Sequence, residues 1–309
     1  MQRKIAFMGT PNFAVPILKY IYQNGYEIPV VYTQPPKKTN RGQKIEKSPI
    51  NLLAETLSLN VRTPNELKNN KLEYEYIKNL ELDLVIVVAF GQIIPKNFLS
   101  LSKAGFINLH ASILPKLRGA APIQRSIMNL DKETGISVMK INEGLDEGDV
   151  SHILKINIIE NENAQSLSGR LSTLASENIL NIIDSIFDKE INFTPQDHSQ
   201  ATYAKKITKT EGLIDWNDSA ENIIGKINGL YPYPGGYFLF KGERYKILKA
   251  EKNFSKENPG KVLTNDLEIS CGTNSIKILE IQREGKNSQK INEFLPGSQI
   301  KKGTSLLDV

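Results

Sequence analysis

Cysteine is almost missing from this chain: Cys271 stands alone among 309 residues, so no internal disulfide framework holds the fold. Histidine is scarce too. His110, His152 and His198 lie far apart, without the spacing of a structural zinc site, so the expected chemistry uses neither a metal nor a thiol. No apolar run approaches the ~20 residues that cross a bilayer, and Arg3-Lys4 leads straight into the short run Ile5-Ala6-Phe7-Met8. Membrane insertion and export are set aside, and a cytoplasmic protein is expected. The first glycine turn lacks the G-x-G-x-x-G spacing of a dinucleotide site, and Ser112 has no G-x-S-x-G elbow. A nicotinamide dehydrogenase and a serine hydrolase are both disfavoured.

Charge is nearly balanced, at 39 Lys/Arg against 34 Asp/Glu, and the small excess is uneven. Residues 1–203 hold 22 basic and 21 acidic side chains, whereas 204–309 hold 17 and 13. The last third is compatible with a polyanionic partner, although a chain rich in Lys, Asn and Ile reaches such a bias through codon composition alone.

Apolar runs and helical patterns alternate from the start: a strand at 4–8, a helix at 13–21, a strand at 28–32, a helix at 49–57. Leu84-Val85-Ile86-Val87-Val88-Ala89 is apolar without alternation, as a strand covered on both faces reads. A mostly parallel sheet with flanking helices follows. Further strands are expected at 105–109, 135–141 and 150–158, and helices at 121–130 and 164–187. Residues 191–198 turn polar and suit an interdomain linker. After a helix at 219–227, short runs at 237–240, 245–248, 261–263, 267–271 and 276–281 predict a small OB-like antiparallel β-barrel. The expected organisation is a first domain over 1–189, a linker over 190–207 and a second domain over 208–309.

Open parallel sheets bind ligands beyond the carboxyl ends of their strands. Three segments occupy such places: Gly9–Phe13, Phe90-Gly91 and Asn108–Ser112. Residues two apart on a strand point the same way, so Asn108 and His110 face one point. An amide aimed at a developing oxyanion, beside an imidazole that manages an amine's proton, is what acyl transfer requires. A buried histidine satisfied by backbone partners fits the same residue. The acidic Gly144–Asp149 stretch, without calcium-loop spacing, reads either as a solvated turn or as the source of a carboxylate, Asp146, that orients His110. Lys37, Lys38, Arg41, Lys44 and Lys47 make a basic loop that could grip phosphate or simply be solvated.

Together these segments resemble the methionyl-tRNA formyltransferase family. The resemblance runs through Phe7–Ala14, Val31–Pro35, Asn108–Ile123 and Gly144–Asp149, and continues in Tyr203–Ile207, Ile214–Trp216, Pro232–Gly236, Glu284–Lys286 and Glu293–Leu295. It implies a Rossmann-like formyltransferase domain with an OB-like C-terminal domain; a monomer is expected because no long exposed apolar stripe is left unassigned. It also implies transfer of a formyl group from 10-formyltetrahydrofolate, a consumed cosubstrate, to the α-amine of methionyl-initiator-tRNA. Asn108, His110 and Asp146 become the implied catalytic set. Phe90, Gly91 and Ser112-Ile113-Leu114-Pro115 become the implied folate site, and Lys37, Lys38, Arg41, Lys44, Lys205 and Lys206 the implied tRNA contacts. Pro36, Phe90, Ile113 and Asn228 depart from the family's usual pattern. Glycinamide ribonucleotide and amino-sugar formyltransferases share the N-H-x-S-x-L-P core, so a small amine is the alternative acceptor. An RNA-binding module on an inert transferase fold is the alternative outside catalysis.

Overall fold

The computed structural model describes residues 3–39 and 44–307. The chain divides into two compact units, one of Met1–Ala120, Gly135–Ile156 and Ser168–Ala204, the other of Ala121–Thr134, Asn157–Leu167 and Lys205–Val309. Residues 190–204, placed in a linker by composition, thus cluster with the first unit, and 121–134 with the second. The reasons are local. Tyr203-Ala204 pairs in parallel with Arg118-Gly119. The helix Pro122–Met128 packs on Ala220–Gly229, where a Cβ on Gly229 would stand 2.8 Å from the Gln124 carbonyl oxygen.

The first unit is built on a seven-stranded sheet in the order Val150–Asn157, Glu133–Lys140, Phe106–His110, Leu84–Val88, Ile5–Gly9, Val31–Tyr32, Val61–Arg62. Five of these strands are parallel, and chain order reverses between Ile5–Gly9 and Leu84–Val88, which are in register from Ile5↔Leu84 to Gly9↔Val88. That reversal is where open α/β sheets leave a crevice for ligands. Every residue of Leu84–Val88 is buried, as its unbroken apolar run requires. Phe106–His110 pairs in parallel with it and antiparallel with Glu133–Lys140, setting Ser137 opposite His110.

The helix Ala164–Phe187 has the bounds that its apolar spacing predicts, and Leu167, Leu171, Ile179, Ile182, Ile183 and Ile186 are buried along it. Among the elements without a counterpart in the sequence reading are the strand Val61–Arg62 and the helix Lys71–Asn79.

The second unit carries an antiparallel sheet of Gly236–Phe240, Glu243–Asn253, Ser275–Arg283 and Glu268–Ser270, with Ser288–Lys290 also on Ser275–Arg283. Lys261 and Val262 contribute isolated bridges where a strand is expected. Trp216, Phe238, Tyr245, Ile247 and Ile278 are buried in its core, with the Phe238 and Tyr245 rings stacked 5.4 Å apart. Among the described residues, no helix is long and apolar enough to cross a membrane.

Candidate active site

Asn108 and His110 stand on the strand Phe106–His110, and the hairpin between Glu133–Lys140 and Val150–Asn157 brings Asp146 to them. Asn108 Nδ2 donates to Asp146 Oδ1 at 3.5 Å, and His110 Nδ1 lies 3.6 Å from Asp146 Oδ2. The three side chains proposed from sequence therefore meet at one place. His110 is buried, Asn108 and Asp146 partly so.

The surroundings fix the chemistry of the ring. His110 Nε2 is 2.9 Å from the Leu117 carbonyl oxygen, which can only accept, so this nitrogen carries a hydrogen. Nδ1 is left as the ring position that faces Asp146. The carboxylate is anchored in turn by the Gly119 N–H, which donates to Oδ2 at 2.8 Å. Asp146 has φ +51°, a left-handed conformation that aspartate adopts more readily than most residues. Gly119 has φ +116°, and a Cβ there would stand 2.9 Å from the Ala204 carbonyl oxygen, so glycine is required where the amide reaches the carboxylate.

The residues expected around folate divide into two kinds. Ser112 is fully buried with its hydroxyl donated to the Lys116 carbonyl at 2.7 Å, and Leu114 is buried with its N–H on Ser137 Oγ at 3.0 Å. Ile113 and Pro115 are half-exposed. The Leu114–Pro115 bond is cis. Phe90 is buried and its carbonyl accepts from Thr10 Oγ1 at 2.8 Å, while the Gly91 carbonyl accepts from Gln34 Nε2 at 2.7 Å. Gly91 is exposed with φ +78°. Ser112, Leu114 and Phe90 accordingly hold backbone in place, while Ile113, Pro115 and Gly91 face outward.

Of the basic residues, Lys37 is exposed and donates to Gln34 Oε1. The backbones of Lys38 and Lys44 belong to a small hairpin, Lys37–Thr39 with Lys44–Glu46, and Arg41 lies outside the described residues. Lys205 and Lys206 are exposed in the second unit, where Arg125 Nη2 donates to the Lys205 carbonyl at 3.0 Å and Arg125 Nη1 pairs with Glu211 at 2.7 Å.

Sequence reading missed the layer behind the site. Arg118 is fully buried, and Gln196 Oε1 accepts from its Nε at 3.0 Å and its Nη2 at 2.8 Å. Gln196 Nε2 donates to the Asp146 and Gly148 carbonyls at 2.9 and 2.7 Å. Ser137 Oγ donates to the Ser112 carbonyl at 2.7 Å. No periodicity connects 118 to 196. The available signal was the pairing of two polar residues with runs otherwise read as loop and linker.

The family model "Formyl transferase" matches residues 3–183, and "Formyl transferase, C-terminal domain" matches 206–299. The chain is 63% identical over 310 residues to the methionyl-tRNA formyltransferase of Pelagibacter ubique, covering 100% of both, and 42% identical over 307 residues to that of Caldanaerobacter subterraneus subsp. tengcongensis, covering 98% and 99%. Solved structures share the fold at low identity. A sugar 3N-formyl transferase, WlaRD, crystallised in the presence of dTDP and 5-N-formyl-THF, matches at TM-score 0.71 and 21% identity, covering 93% of this chain and 100% of that one. The methionyl-tRNA formyltransferase of Clostridium thermocellum matches at 0.58 and 18%, covering 82% and 95%.

Proposed function

The chain belongs to the methionyl-tRNA formyltransferase family, and on that premise we propose that it moves the formyl group of 10-formyltetrahydrofolate to the α-amine of methionyl-initiator-tRNA. The observation that carries this reading is the convergence of an amide, an imidazole and a carboxylate at Asn108, His110 and Asp146. As the amine nitrogen bonds to the formyl carbon, the formyl oxygen becomes an oxyanion. Asn108 Nδ2 donates to it, a contact worth about 3 kcal/mol in the transition state. His110 Nδ1, opposite Asp146, takes the proton the amine loses, and the Asp146 carboxylate is the countercharge while the ring holds it. The bond from carbon to the folate nitrogen then breaks, and the proton lost by the amine passes through His110 and Asp146 to that nitrogen.

Ile113, Pro115 and Gly91 present the folate-facing surface, on backbone fixed by Ser112, Leu114 and Phe90. Lys37, Lys38, Arg41, Lys44, Lys205 and Lys206 meet tRNA phosphates. The enzyme works as a cytoplasmic monomer. The test is formyl transfer to charged initiator tRNA, run beside uncharged tRNA and a nucleotide-linked amino sugar. Product on the charged tRNA alone is expected. Transfer to the sugar instead would reassign the acceptor, and no transfer to any of them would leave an RNA-binding chain.

A further inference from the structure

The polar stretch 194–204 is tied to both halves of the site. The Thr194 and Val150 backbones exchange hydrogen bonds at 2.9 Å. Farther along, Leu117 N donates to Thr202 Oγ1 at 2.9 Å, and Arg118 N to the Thr202 carbonyl at 2.9 Å. This second pair of contacts fixes the segment whose Leu117 carbonyl holds His110. Between them sits Gln196, buried, with both ends of its amide engaged. Its oxygen takes two hydrogens from the buried Arg118 guanidinium, and its nitrogen gives one each to the Asp146 and Gly148 carbonyls. Gly148 is buried in a turn where a Cβ would run into the Lys140 carbonyl, and Asp146 itself is in a left-handed conformation. A turn of that shape keeps its carboxylate aimed only if its own backbone is held.

We propose that Gln196 is a positioning residue for formyl transfer: with Arg118 as its base, it clamps the Asp146–Gly148 turn so that the Asp146 carboxylate stays against His110 Nδ1. The inference rests on the catalytic reading of Asp146. An amide is the side chain that fits, because two acceptor carbonyls on one side and a guanidinium on the other demand a donor end and an acceptor end. A carboxylate satisfies only the guanidinium.

Gln196→Glu separates the two ends. The new carboxylate still accepts from Arg118, which also faces Glu147 Oε2 at 3.8 Å and His198 Nδ1 at 3.3 Å, so the buried cation keeps its partners, but an oxygen now faces the two turn carbonyls. Expected are a Tm within a few degrees of wild type, a KM for the formyl donor within about twofold, and a kcat lower by about tenfold to a hundredfold, the scale of a small misplacement of a catalytic group. Hydrogen exchange should quicken across residues 144–149. The deficit should narrow as pH falls, because the introduced carboxyl group regains one donor when it is protonated. A kcat within about twofold of wild type, a loss matched by a rise in KM, a Tm lowered by more than about 10 °C, or a deficit that ignores pH would each overturn the proposal. Should the wild-type protein transfer no formyl group, the catalytic reading fails by itself. The exchange comparison then decides whether Gln196 clamps the turn.

Discussion

At the scale of single residues, the decisive fact is which nitrogen of His110 is free. The Leu117 carbonyl occupies Nε2, so in the proposed mechanism the proton is carried at Nδ1, the nitrogen that faces Asp146. Asp146→Asn keeps an acceptor for the Gly119 N–H but removes the countercharge for the imidazolium. It should fold normally and lose about a hundredfold or more in kcat, the order seen when a charge-stabilising partner is removed, in a formyl-transfer assay at saturating substrates. Near-normal turnover would end the assignment. His110→Gln retains a donor but cannot carry a proton between nitrogens, and it should fall at least as far. Asn108 and His110 were legible in the sequence because two-residue spacing on a strand forces a shared direction. Gln196 was not, since its meaning depends on contacts 78 residues away with Arg118 and 50 away with Asp146.

Elements were legible in proportion to how apolar their buried faces are. Leu84–Val88 announces itself because every position is a hydrocarbon, and Ala164–Phe187 because Leu167, Leu171, Ile179, Ile182, Ile183 and Ile186 recur along its buried face, with only Ser172 and Ser176 polar there. Lys71–Asn79 hides because its buried face includes Glu73 beside Ile77, while Leu72, its first leucine, is 82% exposed. Glu73 is inside because Arg62, on the edge strand Val61–Arg62, binds it through two hydrogen bonds of 2.6 and 2.7 Å and Tyr32 donates a third at 2.6 Å. Burial alone would raise its pKa, but the Arg62 and Tyr32 bonds outweigh that and hold it below the ordinary carboxylate value. The same cluster pushes the Tyr32 phenol upward, first through burial and then through its bond to Glu73. A carboxylate with a depressed folded-state pKa contributes stability above its unfolded pKa and loses it as pH falls through the folded value. Glu73→Gln should cost about 2 kcal/mol at neutral pH by denaturant titration, as loss of charged hydrogen bonds does. The gap to wild type should shrink as pH falls from the ordinary carboxylate range through the lower folded value, where the wild-type carboxylate itself takes up a proton. A pH-independent difference would mean the ion pair contributes nothing beyond packing.

For the molecule as a whole, net charge is unevenly spread along the sequence. The first 203 residues are almost neutral, and most of the net +5 lies beyond them. Several cations there already have acidic partners, as in Arg283 with Glu243, Lys252 with Glu221 and Lys261 with Glu257. The exposed Lys205 and Lys206 stand instead on a segment anchored by its backbone, through the Arg125 bond to the Lys205 carbonyl. A rigid backbone with free-swinging ammonium ends suits phosphate contact, because the charge reaches the ligand without the chain having to be ordered first. Binding of initiator tRNA should therefore weaken steeply with salt, log Kd rising linearly with log salt concentration by roughly 0.7 to 0.9 per phosphate contacted. Binding of formyl-folate should move little over the same range. The double variant Lys205→Ala, Lys206→Ala should lower tRNA affinity and flatten the slope by up to about two contacts, leaving the folate KM unchanged. Fluorescence anisotropy with labelled tRNA from ~50 to ~300 mM salt reads this directly, covering a change in screening length that matters for exposed charges. If the double variant has the wild-type slope, these lysines face solvent only, and the acceptor's phosphates must be met elsewhere on the chain.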